Sequence, residues 1–171
     1  MPTNRYVNSV GGLLTQVIPA VTSAGAPTAG QIIATNAAGV LDATMLPAGV
    51  GANAITATAS ATISAGMLLN IYSNAGVLNV RPADSTTVGS EANGYAPSAI
   101  ANGASGTVNL GAGLITGLSA LTIGTSYFLG TVGAATTTVP SVPGNIVQFV
   151  GKAISVTSLD YFPGQPPITV A

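Results

Sequence analysis

Hydrophobic and polar residues alternate with a period of two along much of this chain. Over residues 54–63, Ile55, Ala57, Ala59, Ala61 and Ile63 fall on one side and Thr56, Thr58, Ser60 and Thr62 on the other. Successive side chains of a strand point to opposite faces, so this alternation predicts a strand with one buried face. Ser64-Ala65-Gly66 then turns the chain. Residues 67–72 and 77–81 flank Ser73-Asn74-Ala75-Gly76, which has the composition of a four-residue hairpin loop and lets Leu69 and Ile71 share a face with Leu78 and Val80. Asn93-Gly94 and Asn102-Gly103 are further turn dipeptides. Residues 95–100 and 107–110 therefore read as a second hairpin, with Pro97 pushing its first strand toward an edge or bulge. Residues 127–129 and 146–156 complete the set, and the imperfect alternation of the last places a bulge or a close backbone approach at Gly151. No long segment holds a 3.6-residue period. With 22 glycines and 11 prolines marking turns, the pattern predicts an all-β fold, a small sandwich or barrel-like domain of short antiparallel strands.

Residues 1–50 differ in character. Gly11-Gly12, Pro19, Ala37-Ala38-Gly39 and Pro47 break them into brief apolar strings such as residues 13–18 and 31–34, and no core face emerges. The segment is too broken to fold alone and too apolar for a solvated tail, so it is expected to be an extended arm lying on neighbouring subunits. The competing expectation is a pair of extra strands in the same domain. Residues 51–171 are then the β-rich core domain.

Charge changes the picture. The chain carries three cations (Arg5, Arg81, Lys152) and four carboxylates (Asp42, Asp84, Glu91, Asp160), 4% of 171 residues. A freestanding domain carries roughly a quarter charged residues, so either a membrane or neighbouring protein covers much of this surface. Mean hydropathy is +0.59, but a spanning helix needs roughly 18 consecutive apolar residues, and no such run exists. Five tyrosines, three phenylalanines and no tryptophan are too few for the aromatic girdles of a membrane barrel. Arg5, Leu13-Leu14 and Ala24-Gly25-Ala26 faintly echo a secretory leader, yet Asn8, Thr15, Gln16 and Pro19 interrupt it and the chain begins at Met1, so none is expected. The covering partner is expected to be protein.

Candidate chemistry is sparse. Without Cys or His, disulfides, Cys-containing zinc sites and histidine-based catalysis are excluded. Asp84 and Glu91 could in principle serve as a glycosidase pair, but Ala83-Asp84-Ser85 after Pro82 reads as a turn in which Asp bonds nearby backbone. Gly111-Ala112-Gly113 with Gly117 lacks the spacing of a phosphate loop and is read as a turn. Three scattered cations cannot make the phosphate contacts of a nucleic-acid interface. Tyr72, Tyr95 and Tyr161 are the candidates for a glycan platform, while Tyr127, Phe128 and Phe149 read as core. No enzyme activity is expected, and no catalytic, cofactor-binding or metal-ligating residue is assigned.

Two stretches resemble a module of tailed-bacteriophage virion proteins. Gly117-Leu118-Ser119-Ala120-Leu121-Thr122-Ile123-Gly124-Thr125-Ser126-Tyr127-Phe128-Leu129-Gly130 is similar to a "GLTxGxxYYL" string. Thr136-Thr137-Thr138 and Pro143-Gly144-Asn145-Ile146-Val147-Gln148-Phe149-Val150-Gly151-Lys152-Ala153 are similar to the "TTTxP…PGNxVQxVGxA" string that follows it. The expected ending is a short strand at residues 159–162 followed by Pro163-Gly164-Gln165-Pro166-Pro167. Gly39-Val40-Leu41-Asp42-Ala43-Thr44-Met45-Leu46-Pro47 resembles a linker of phage fibre and head proteins. The resemblance covers about half of the chain, and no catalytic or ligand residue travels with it.

The resemblance implies a capsid cement or decoration protein, a homotrimer on the outer surface of the phage head, bridging junctions between subunits of the major capsid protein. Such a protein is made in the host cytoplasm and needs no membrane, nucleic acid, cofactor or small-molecule substrate. The alternative is a tail-fibre or head-fibre module for host attachment; a single core in a short chain favours cement. Arg5 and Asp42 are expected to set the arm's register on the capsid. Arg81, Asp84 and Glu91 are expected at a solvent-facing edge.

Overall fold

The computed structural model describes residues 6–10, 12–21, 32–35, 41, 45, 53–162 and 167–171. Arg5, Asp42, Ala24-Gly25-Ala26, most of the 39–47 linker and residues 163–166 lie outside the described residues. By its contacts the chain divides into two compact units, Met1–Gly51 and Ala52–Ala171.

In the first unit, β1 (Tyr6–Val10) and β2 (Leu13–Val17) form an antiparallel hairpin. Gly12, at φ 82°, supplies the left-handed turn residue. Ala20 forms a parallel bridge with Ile33, closed by Ala20 N–H to the Ile32 carbonyl (3.0 Å) and Ala34 N–H to the Ala20 carbonyl (2.9 Å). The apolar string at residues 13–18 is thus a strand, one the brief pattern left unassigned.

The second unit is all-β. Five strands close a barrel in the order β3-β5-β4-β6-β7: β3 (Ala54–Ala59), β4 (Leu68–Asn74), β5 (Val77–Pro82), β6 (Gly94–Tyr95) and β7 (Ser105–Asn109). Five more form an open sheet in the order β10-β9-β12-β13-β8: β8 (Gly113–Ile115), β9 (Ser126–Leu129), β10 (Ala135–Thr136), β12 (Phe149–Ala153) and β13 (Leu159–Tyr161). Finally β11 (Ile146–Val147) pairs with β14 (Ile168–Thr169), a strand beyond the C-terminal prolines.

The period-two reading of residues 54–63 places the right residues inside, but β3 ends at Ala59. Ser60 and Ala61 bend the chain, and Ile63 resumes pairing as a bridge to Ile100. Residues 95–100 accordingly do not run as one strand: only Gly94–Tyr95 joins the barrel. The β4–β5 loop has two residues, Ala75 (φ 49°) and Gly76 (φ 84°), in place of the four expected. Two consecutive positive φ values match the twist of the strands they join. The strands are not all antiparallel either, because β3 closes the barrel on β5 in parallel.

Two cores form where one was expected. Ala57, Ala59, Leu69, Val80, Ala96, Ile100 and Val108 fill the barrel interior. Its narrow bore selects small side chains. A second cluster packs Leu68, Ala83, Ala92 and Tyr95 against Ile115, Tyr127, Leu129, Val150, Leu159 and Tyr161 of the open sheet. Adjacent residues Leu68 and Leu69 point to opposite faces of β4, so this strand is buried on both. Gln148 fastens the layers: its side-chain amide donates to the Ala92 carbonyl and its Oε1 accepts the Ala92 N–H, both at 2.8 Å.

Candidate functional site

The carboxylates hold loops. Asp84 Oδ1 accepts the Thr86 N–H (2.9 Å) and hydroxyl (2.6 Å), and Oδ2 accepts the Val132 N–H (3.2 Å). Partial burial pushes this carboxyl upward, but the three hydrogen bonds outweigh it and hold its pKa below the ordinary value. Glu91 Oε1 accepts the Gly89 N–H (3.3 Å). Arg81 Nε donates to Asn70 Oδ1 (3.0 Å), and a terminal guanidinium nitrogen donates to the Gly89 carbonyl (3.4 Å). Asn70 Nδ2 reaches the Glu91 carbonyl (2.9 Å) and Asn93 Oδ1 (3.2 Å). All three charged side chains are half-buried anchors of the loop 84–93, not a solvent-facing edge. The expected turn at Asp84 is present.

The candidate glycan platform does not assemble. Tyr95 and Tyr161 are buried and pack edge to face, ring centres 5.3 Å apart. Tyr72 is half-buried with the Arg81 guanidinium 4.6 Å from its ring centre. Residues 111–112 form a bend before β8, as the turn reading expects. Among the described residues, no three of His, Cys, Asp and Glu come together as metal ligands. No helix among them is long and apolar enough to cross a membrane. A recess of about 310 Å³ lies beside Met67, Leu68, Leu118, Ser119, Leu121 and Val132.

Burial pushes the Tyr161 hydroxyl up to about 12, with Tyr95 adding to the shift. Among the described residues, the same hydroxyl has no hydrogen-bond partner. An unsatisfied buried polar group costs about 1–3 kcal/mol. Tyr161→Phe is therefore expected to stabilise the protein by about 1 kcal/mol in urea unfolding at neutral pH. Because the folded pKa lies above the ordinary tyrosine value of 10.0, wild-type stability is complete below that value and falls as pH climbs from there toward about 12. Tyr161→Phe removes that part of the alkaline loss; equal alkaline loss in both proteins would contradict the assignment.

Many large apolar side chains stand exposed among the described residues. On the hairpin, Leu13 (69% exposed) and Leu14 (72%) are successive residues of β2, hence on opposite faces, and Val7 is exposed as well. An isolated two-stranded hairpin is at best marginally stable. It carries exposed apolar side chains on both faces.

On the outer face of the open sheet the register aligns Thr136, Phe128 and Phe149 across β10, β9 and β12. The rings of Phe128 and Phe149 meet edge to face at 6.1 Å. One step along, Ser126, Lys152, Asp160 and Leu114 form a second row across β9, β12, β13 and β8. Phe162, just past the end of β13, is 56% exposed and donates its N–H to the Val150 carbonyl (3.0 Å). The reading of Phe128 and Phe149 as core is corrected: Phe128 is half-buried and Phe149 is 37% exposed. Only the bulge between Phe149 and Gly151 puts Phe149 and Lys152 on one face, which strict alternation would have separated.

No family model matches the chain, and no curated protein matches it. Among solved structures, it is similar to the head fibre gp8.5 N base of bacteriophage phi29. The TM-score is 0.45 at 19% identity, over 66% of this chain and 96% of that one.

Proposed function

We propose that this protein is a non-enzymatic structural part of a tailed-phage head, a cement or decoration protein. It binds the outer capsid surface, bridges subunits of the major capsid protein and self-associates, as a homotrimer in the reading the sequence resemblance implies. The observation that carries an assembly role is the described surface. Large apolar side chains such as Leu13, Leu14, Ile123, Phe162 and Ile168 stand exposed, while Arg81, Asp84 and Glu91 are engaged in loop contacts. Such a surface gains free energy at about 25 cal/mol per Å² when a neighbour covers it, and scarce charge leaves few ions to desolvate. The phage assignment rests on the two sequence stretches around Tyr127 and Gln148.

A tail-fibre or head-fibre module for host attachment is the second reading. Copy number decides. Densitometry of purified virions is expected to give hundreds of copies per particle; a few dozen or fewer favours a fibre, and density confined to the tail in electron micrographs ends the cement reading.

A further inference from the structure

The aromatic residues of the described chain are sorted against expectation. Tyr95, Tyr127 and Tyr161, each with a polar hydroxyl, are buried, whereas Phe128 and Phe149 lie on the outer face of the open sheet and Phe162, just past β13, is exposed. Phenylalanine has no polar group to reward exposure, so two touching rings on this face with a third exposed at the end of β13 mark a surface that a partner covers. Amid them stand the chain's only lysine, Lys152, and an exposed aspartate, Asp160, directly opposite each other across β12 and β13.

We infer that the outer face of the sheet β10-β9-β12-β13-β8 is the surface through which the protein meets a second copy of itself. The argument is charge complementarity. A face with one cation and one anion beside apolar rings is self-complementary: Lys152 of one copy can reach Asp160 of the next in a two-fold pair or around a closed ring. Phe149 and Phe162 supply the apolar contact, and the charges fix register and exclude misaligned docking. This deepens the self-association in the proposed function and is independent of binding to the capsid.

The test uses the full chain, with oligomeric mass measured by light scattering across a concentration series. The wild type is expected to associate, and Phe149→Ser with Phe162→Ser to shift it to monomer. Lys152→Glu and Asp160→Lys are each expected to weaken association roughly tenfold or more. An equimolar mixture of these two single variants is expected to regain it, fully in a two-fold pair and in part in a three-membered ring, because contacts between unlike variants become attractive while pairs within each chain stay repulsive. Both side chains are exposed, so the charge variants keep their fold, and the mixture is decisive even if the phenylalanine variant misfolds. A monomeric wild type, or a mixture no better than its components, overturns the inference. Loss of capsid adsorption by the face variants with a monomeric wild type would assign the face to another protein. Intact self-association with no capsid binding would leave this inference standing and remove the proposed function.

Discussion

Gly151→Ala is expected to be the most damaging single substitution in the β-rich unit. A Cβ at this position would overlap the Asp160 carbonyl oxygen and press on Leu159. Backbone cannot move aside as a flexible side chain can, so relief requires β12 and β13 to separate. Gly151 sits opposite both Tyr161 and Tyr127, at the middle strand of the five. Parting there opens the cluster that holds Leu159, Val150 and Tyr161. Its φ of 155° adds a backbone conformation that a side chain disfavours. The loss is expected at roughly 3 kcal/mol or more, a large share of the stability of a small domain. The comparison is Gly103→Ala: Gly103 also has a positive φ, 79°, but nothing lies within 4 Å of its Cβ, and about 1 kcal/mol is expected. Urea midpoints of the two variants measure the difference; equal losses would show that the approach to Asp160 imposes no steric demand.

Gly151 also shows how far the sequence speaks. A glycine inside a broken alternation could be located from the pattern alone, since bulge and close approach both demand it. The period-two faces around Ala57, Leu69 and Val80 were legible for the same reason: alternation reports burial directly. Strand order was not. The parallel closure of β3 on β5 depends on contacts far apart in sequence that leave no local mark. Nor was the two-residue turn legible, because Ala75 occupies a positive-φ position where asparagine or glycine is the usual signal. Leu68 and Leu69 interrupt alternation because β4 is buried on both sides, and from one sequence such a run looks like a single core. Of the candidate site, only the scarcity of charge pointed outward. The grouping of Lys152 with Phe149 required the bulge.

The paradox of the surface is that so many apolar groups are exposed on elements that are otherwise well packed. In the β-rich unit the paradox is local, since two complete cores lie beneath it. In the first unit it is general: among the described residues Val7, Leu13, Leu14, Ile18, Val21, Ile32 and Ile33 are all exposed. The two units are therefore expected to respond differently to the loss of partners.

Removing residues 1–50 is expected to weaken capsid attachment sharply while leaving the β-rich unit folded. Among the described residues, every member of both buried clusters lies between Ala57 and Tyr161, so thermal unfolding of the remainder is expected to retain its cooperativity. Fully burying a Leu, Val or Ile side chain contributes about 1.5–3 kcal/mol. If only Leu13, Leu14 and Ile18 are covered by the capsid, several kcal/mol of attachment goes with them, before any contribution from Arg5 or Asp42. Net losses are smaller than this sum because ordering an arm costs entropy, yet a drop of roughly a hundredfold in affinity remains the expected scale. Leu13→Ser with Leu14→Ser in the full chain should reproduce much of it. Co-sedimentation with capsids lacking the protein reads both variants. Attachment at wild-type strength by the truncated chain would show that residues 1–50 are not the clamp, and would shift attention to the apolar faces of the β-rich unit.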